Sequence, residues 1–263
     1  NGASVTDTIT ATITGTNDAP TSADVTFTIN EGATKIFNDG NFPYDDVDGD
    51  AFRRIKITAL PDAGSLVFGN ADAFVGQEFN HGHQHNLNFT PDANGNGDSY
   101  AAFQIQVADY NMAWSESAYT ITIDVTPVND APTATNNTVT TNEDTAHTFA
   151  ASEFNFADVD SDSLDHITIA TLPAAGTLTL GNSAVSAGDD IAAADIDTLK
   201  FTPVANASGD PYTSFTFTVN DDTADSASAY TMTVDVTPVN DAPTATNNTV
   251  TTNEDTAHTF AAS

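Results

Sequence analysis

Cysteine is absent from the 263 residues, which excludes a disulfide framework, thiolate chemistry and cysteine-ligated metals. Positive charge is nearly as scarce, with five Lys+Arg against 37 Asp+Glu and a formal charge of -32. Nucleic acid and anionic membrane both require a cationic partner, so neither is expected to bind. No apolar run approaches the roughly 18 residues of a membrane-spanning helix, so no membrane insertion is expected. No signal peptide opens the chain, as in an internal segment of a longer protein. Helix formers are few, while Thr, Val, Ile and Phe alternate with polar residues between clusters of Asn, Asp, Gly and Pro, a composition of strands and turns.

What the chain does have is repetition. Asp124–Ser152 and Asp235–Ser263 are identical over all 29 residues. The tetrapeptide Asn-Asp-Ala-Pro begins at Asn17, Asn129 and Asn240, giving a period of 112 residues and then 111. At the first offset Glu31 pairs with Glu143, Asp46 and Asp48 with Asp158 and Asp160, and Asp109 with Asp221. Ala63-Gly64 likewise pairs with Ala175-Gly176, and Phe89-Thr-Pro91 with Phe201-Thr-Pro203. Residues 17–128 and 129–239 are therefore expected to be two complete repeats. Residues 1–16 should be the closing strand of a preceding one, and 240–263 the truncated start of a third. Lacking most of their partners, the two end segments are expected to be irregular or to add to a neighbouring edge.

Within the first repeat the alternation predicts seven strands, near 21–30, 34–38, 54–60, 65–68, 86–90, 100–108 and 117–126. Val25, Phe27 and Ile29 share one face, as do Phe103, Ile105 and Val107. Seven short strands in about 110 residues predict an all-β fold of tandem Greek-key β-sandwiches joined by short linkers, with a barrel as the alternative. If the strands alternate in direction, an odd number leaves the C-terminus at the pole opposite the N-terminus. The first strand then carries Glu31 to the C-terminal pole. Asp46, Asp48, Asp50 and Asp109 return to the N-terminal pole beside Asn17-Asp18. The Asn129-Asp130 linker is expected to gather Glu31 from the preceding repeat and Asp158, Asp160 and Asp221 from the following one. Carboxylates that close need a counter-charge, and Ca²⁺, with its six to eight oxygen ligands, suits them better than the smaller, more tightly hydrated Mg²⁺. An acidic coat for solubility is the competing reading of the charge, and acidic turns without metal that of the Asp-x-Asp pairs.

With these motifs assembled, the chain resembles the bacterial cadherin-like tandem repeats of large secreted adhesins of the RTX type. The matching residues are Pro127-Val-Asn-Asp-Ala-Pro132, Asn142-Glu143-Asp144, Asp158-Val-Asp160, Ala175-Gly-Thr-Leu178, Phe201-Thr-Pro203 and Asp221. The opening Thr10–Pro20 is similar to the end of a related repeat found in the same adhesins. The resemblance implies interdomain Ca²⁺ sites, rigid extension from a bacterial cell surface and an extracellular location. It carries a ligand role to Glu31, Asp46, Asp48, Asp109, Asn129, Asp130, Glu143, Asp158, Asp160 and Asp221. The flanking linker residues Asn17, Asp18, Asn240 and Asp241 complete the candidate set. The last linker should bind weakly, since Ser263 precedes any following Asp-x-Asp pair. The implied function is a calcium-rigidified extender holding other domains away from the cell and aiding adhesion and biofilm formation. Its partners would be neighbouring repeats of the same chain, and the protein would be monomeric.

Other readings of the same residues are narrower. Asp46-Val-Asp48-Gly-Asp50 begins like an EF-hand loop, but Ala51 replaces the required Gly and Ile57 the closing Glu. His81, His83 and His85 would share one side of a strand and chelate Zn²⁺, yet the second repeat lacks them, and a polar hairpin tip explains them as well. Trp114, Tyr110 and Met112 occupy a loop whose length differs between the repeats, where an aromatic cluster either stacks on a sugar or caps the core. A carbohydrate- or protein-binding module, accessory to a secreted polysaccharide-degrading enzyme, is the alternative function. Catalysis by the chain itself is not expected, because an active site should be singular and these acids recur.

Overall fold

The computed structural model describes residues 2–4, 6–12 and 15–260. The chain divides into two compact units, Asn1–Asp130 and Ala131–Ser263. The first contains β1 (Val25–Asn30), β2 (Lys35–Ile36), β3 (Phe52–Ala59), β4 (Ser65–Phe68), β5 (Ala71–Asp72), β6 (Glu78–Asn80), β7 (Leu87–Thr90), β8 (Gly97–Asp109) and β9 (Tyr119–Thr126). Two sheets result, of order β1-β9-β8-β3-β6 and β2-β7-β4-β5. The second unit repeats the plan with β10 (Asn137–Asn142), β11 (His147–Thr148), β12 (His166–Thr171), β13 (Thr177–Leu180), β14 (Ser183–Ala184), β15 (Asp190–Ala192), β16 (Leu199–Thr202), β17 (Gly209–Asn220) and β18 (Tyr230–Thr237). Its sheets run β10-β18-β17-β12-β15 and β11-β16-β13-β14. Each unit is a β-sandwich, as the alternation predicts.

Where seven strands per sandwich were expected, the described residues form nine in each unit. The additions, β5 and β6 with their counterparts β14 and β15, are two or three residues long, too short to display a period of two. They come as a pair, so the odd parity survives. In the first unit β1 lies parallel to β9, from Val25 opposite Ile121 to Asn30 opposite Thr126, while β8 runs antiparallel to β9. The chain thus begins at one pole of the sandwich and leaves at the other.

Alternation supplies the core. Ile55 and Ile57, Phe103 and Ile105, and Ile121 and Ile123 bury their side chains from the first sheet, meeting Phe37, Leu66, Leu87 and Phe89 from the second. Phe37 meets Phe103 edge-on with ring centroids 5.5 Å apart, and the second unit repeats this with Phe149 and Phe215 at 5.7 Å. Among the described residues before Val25 and after Thr237 no strand forms, apart from an isolated bridge of Thr21 to Asp45. The expected end strands in 1–16 and 240–263 fall partly outside the described residues, at positions 1, 5, 13, 14 and 261–263. The stretch of His81, His83 and His85 is not a strand: it turns into a short 3-10 helix at Gln84–Asn86, with the His83 and His85 rings 6.3 Å apart.

The recurring Ala-Gly pair has a steric reason. A Cβ on Gly176, whose φ is +79°, would lie 2.5 Å from the Phe201 ring and 2.8 Å from the Thr202 carbonyl oxygen. Both obstacles belong to the core strand β16 and cannot yield cheaply. Gly176→Ala is therefore expected to destabilise the second unit by about 2–4 kcal/mol. Urea denaturation measures this, and an unchanged midpoint would contradict the packing argument.

Candidate metal centre

At the N-terminal pole of the first unit, β8 ends in Asp109, which is fully buried. One of its carboxylate oxygens accepts the Ala113 backbone N–H at 2.8 Å, and the other accepts the Asn17 side-chain amide at 2.7 Å. Beside it, the residues preceding β3 fold into a loop organised by Asp46, whose Oδ1 accepts the backbone N–H groups of Asp48 and Asp50, both at 3.0 Å. Gly49 turns this loop at φ +77°. Asp48 reaches back to accept the Asp18 N–H at 2.7 Å, and Asn111 donates to both Asn17 and Asp50 at 2.6 Å. The segment Asn17-Asp18 is thereby fastened to its own sandwich by the acids that follow it.

Carboxylate oxygens of Asp46, Asp48 and Asp50 lie within 4.8 Å of one another. Ca²⁺ binds oxygen at roughly 2.3–2.6 Å, so small side-chain adjustments would let one ion touch all three. The donor set is all oxygen, which suits a hard divalent cation and not zinc or copper. Tyr44 closes one side, donating its hydroxyl to the Asp50 carbonyl at 3.0 Å and stacking on Phe52 at 4.6 Å. Burial first, and then the negative charges of Asp46, Asp109 and Asp50, push its phenol well above the usual tyrosine range. No cationic side chain is bonded to these carboxylates in any hydrogen bond or ion pair among the described residues.

The second unit rebuilds the loop. Asp158 Oδ1 accepts the N–H groups of Asp160 and Asp162 at 2.8 and 3.1 Å, and the three carboxylates again lie within 4.8 Å. Ser161 stands where the first unit has Gly49, yet it takes the same left-handed turn at φ +69°. Asp158 Oδ2 is shielded from solvent and accepts no hydrogen bond, an uncompensated acceptor that a cation would satisfy. Asp221, 6% exposed, caps the loop after β17 by accepting the N–H groups of Thr223 and Ala224, both at 2.7 Å.

Glu31 and Glu143 occupy the opposite pole of their respective units. Glu31 Oε2 accepts the Val128 N–H at 3.4 Å and the Asn96 amide at 3.0 Å, while its Oε1 is buried without a partner. Glu143, 8% exposed, accepts the Val239 N–H at 2.6 Å. Each glutamate therefore grips the chain as it leaves its own sandwich. Asn17, Asn129 and Asn240 make one local turn, each donating its amide to the carbonyl of the following Asp18, Asp130 or Asp241. Asp144, which replaces Gly32, keeps a left-handed φ of 60° and accepts the Asn206 N–H.

Sequence reading missed Tyr44, Asn111 and Asp162 as members of these clusters. Asp162 was visible as the third member of an Asp-x-Asp-x-Asp alternation. Asn111 lies in the loop that differs in length between the units, so comparing repeats discards it. The histidines do not join: among the described residues the two aspartate trios are the groups of His, Cys, Asp or Glu able to surround an ion.

Two tandem all-β sandwiches with acidic poles define a cadherin-like or immunoglobulin-like repeat. The chain belongs to the Bacterial Ig domain family, whose profile matches residues 17–122 and 129–237. Such domains are non-catalytic as families and typically extracellular, and among the described residues no helix is long and apolar enough to cross a membrane. No curated protein matches the chain. Among solved structures, it is similar to human mucin-like protocadherin EC1-2, at 16% identity over 84% of this chain and 98% of that one, with a TM-score of 0.45. Protocadherin gamma B2 extracellular cadherin domains 3–6 align at 12% identity over 83% of this chain and 51% of that, with a TM-score of 0.43. An endo-fucoidan hydrolase from glycoside hydrolase family 107 aligns at 20% identity over 84% of this chain but 29% of that one, with a TM-score of 0.27.

Asp109→Ala removes two acceptors from a buried position and strands the Ala113 N–H. A loss of about 1–3 kcal/mol in unfolding free energy is expected in chelator, together with release of Asn17. Amide exchange at residues 17–20 reports the second effect, and unchanged protection there would refute the tether.

Proposed function

We propose that the chain is a calcium-rigidified extender of a secreted bacterial cell-surface adhesin of the RTX type, holding other domains away from the cell in adhesion and biofilm formation. The observation that carries this reading is the second unit's reconstruction of the loop in spite of its sequence. Ser161 accepts a left-handed conformation that costs on the order of 1 kcal/mol, and Asp158 keeps a buried unpaired oxygen, so that three carboxylates stay gathered. A feature kept at that cost serves more than folding.

The candidate ligands at the N-terminal poles are Asp46, Asp48, Asp50 and Asp109 in the first unit and Asp158, Asp160, Asp162 and Asp221 in the second. At the C-terminal poles they are Glu31 and Glu143, with the Asn-Asp linkers supplying amide and backbone oxygens. Calcium would place positive charge among these carboxylates. Asn17-Asp18 is already bonded to Asp109 and Asp48, so an ion there limits the motion of the linker as well as the loop. A linker held this way transmits force and direction from one repeat to the next.

Thermal melts and small-angle scattering in Ca²⁺ and in chelator test the reading. At a free concentration a hundredfold above Kd, Ca²⁺ should add about 2.7 kcal/mol of stability per site and narrow the distribution of molecular shapes. Asp46→Asn with Asp158→Asn should abolish most of both effects. Equal melting temperature and equal scattering in the two conditions would refute it.

A further inference from the structure

The outer face of the first sheet carries opposite charge in the two units. In the first unit Lys56 lies over the Trp114 ring at 4.4 Å, and Arg53 over the Tyr110 ring at 4.8 Å. Arg54 joins them, bonded to Glu78 at 2.9 Å. Four of the chain's five Lys and Arg belong to this unit, and three of them are here. In the second unit none of the three cations recurs as Lys or Arg, Thr168 standing for Lys56, and carboxylates gather around the same places. Asp165 stands for Arg53 and His166 for Arg54, Asp225 makes the bridge to Asn220 that Trp114 makes to Ala108, and Asp222 follows the buried aspartate as Tyr110 does. His166 touches Asp165 at 2.8 Å and approaches Asp190 to 3.8 Å. Asp165, Asp190, Asp222 and Asp225 are all exposed.

We propose that this face is a docking surface for a second copy of the chain, the basic aromatic patch of one copy's first unit seating on the acidic patch of another's second unit. Charge complementarity argues for this occupant. The chain's own second unit offers Asp165 at the Arg53 position and Asp222 and Asp225 at those of Tyr110 and Trp114, while the aromatic rings beneath Lys56 and Arg53 fix those cations in place and so lower the entropy lost on contact. Because the two patches differ, a single contact is heterologous, and a docked pair leaves one patch of each sign unused, the acidic on one copy and the basic on the other. Association therefore continues beyond a pair unless two copies close by seating both pairs of patches on each other. This goes beyond the calcium reading, although Tyr110 and Asp222 directly follow the polar aspartates Asp109 and Asp221.

Sedimentation of the intact chain from about 10 µM to about 1 mM tests the proposal. Weight-average mass should rise with concentration, and the apparent Kd should weaken about tenfold between ~0.05 and ~0.5 M salt. Arg53→Asp with Lys56→Asp should be monomeric, as should Asp165→Lys with Asp225→Lys. An equimolar mixture of the two variants should associate again, since each retains the patch the other lost; this recovery also shows that both are folded. A monomeric wild type at every concentration overturns the proposal, as does a mixture that stays monomeric. Binding of heparin at the basic patch without self-association also overturns it, by assigning the patch to a polyanion. Running each arm in Ca²⁺ and in chelator separates the two readings: absence of a calcium effect on the melt leaves the salt and charge-swap results to stand or fall alone.

Discussion

Like-charge repulsion among carboxylates is the constraint around which both sandwiches are arranged. Five basic residues cannot neutralise 37 acidic ones, so wherever the fold gathers aspartates, backbone N–H groups must hold them. Asp46 and Asp158 each accept two such groups, Asp221 two and Asp109 one, and these bonds orient the remaining oxygens toward a shared space. Hydrogen bonds from backbone N–H groups offset part of the repulsion that gathering these carboxylates creates. In the first unit the bonds to Asp46, Asp48, Asp50 and Asp109 come from backbone N–H groups and neutral side chains, which is the ground for proposing a hard divalent cation there.

The two units serve as internal controls on one another. Where they differ in sequence and agree in conformation, function is the better explanation of the agreement, as at Gly49 and Ser161 or Gly32 and Asp144. Where they differ in both, the feature is particular to one unit. Ser99 donates its N–H to Asp124, but the second unit has Pro211, which has none to give, and Asp235 Oδ1 is left buried without a partner beside a cavity of about 410 Å³. The charge reversal on the outer sheet face is of the second kind, which directs it toward differences between neighbours and away from the shared plan of the poles.

Much of this was legible before any coordinates. The period, the sandwich class and the division of acids between poles followed from two facts, an exact repeat and an odd strand count, and the two strands overlooked left parity unchanged. β5 and β6 were missed because a strand of two or three residues has no period to detect. The histidine stretch was legible only as an alternative, because alternation along the chain becomes alternation across a sheet only if neighbouring strands accept it as a strand. Asn111 was invisible for a related reason, since repeat comparison recognises only what recurs.

The sequence by itself determined the modular plan, the all-β character and which acids recur, because these depend on composition, spacing and local period. Tertiary structure alone decided that Tyr44 and Asn111 join Asn17, Asp46, Asp50 and Asp109 at one end of one sandwich, and that Lys56 lies over Trp114 where the next unit has Asp225 in place of the ring. The reason is physical. Sequence separation of up to 94 residues is erased only when antiparallel strands return the chain to the same pole, and which side chains then meet depends on register and loop length.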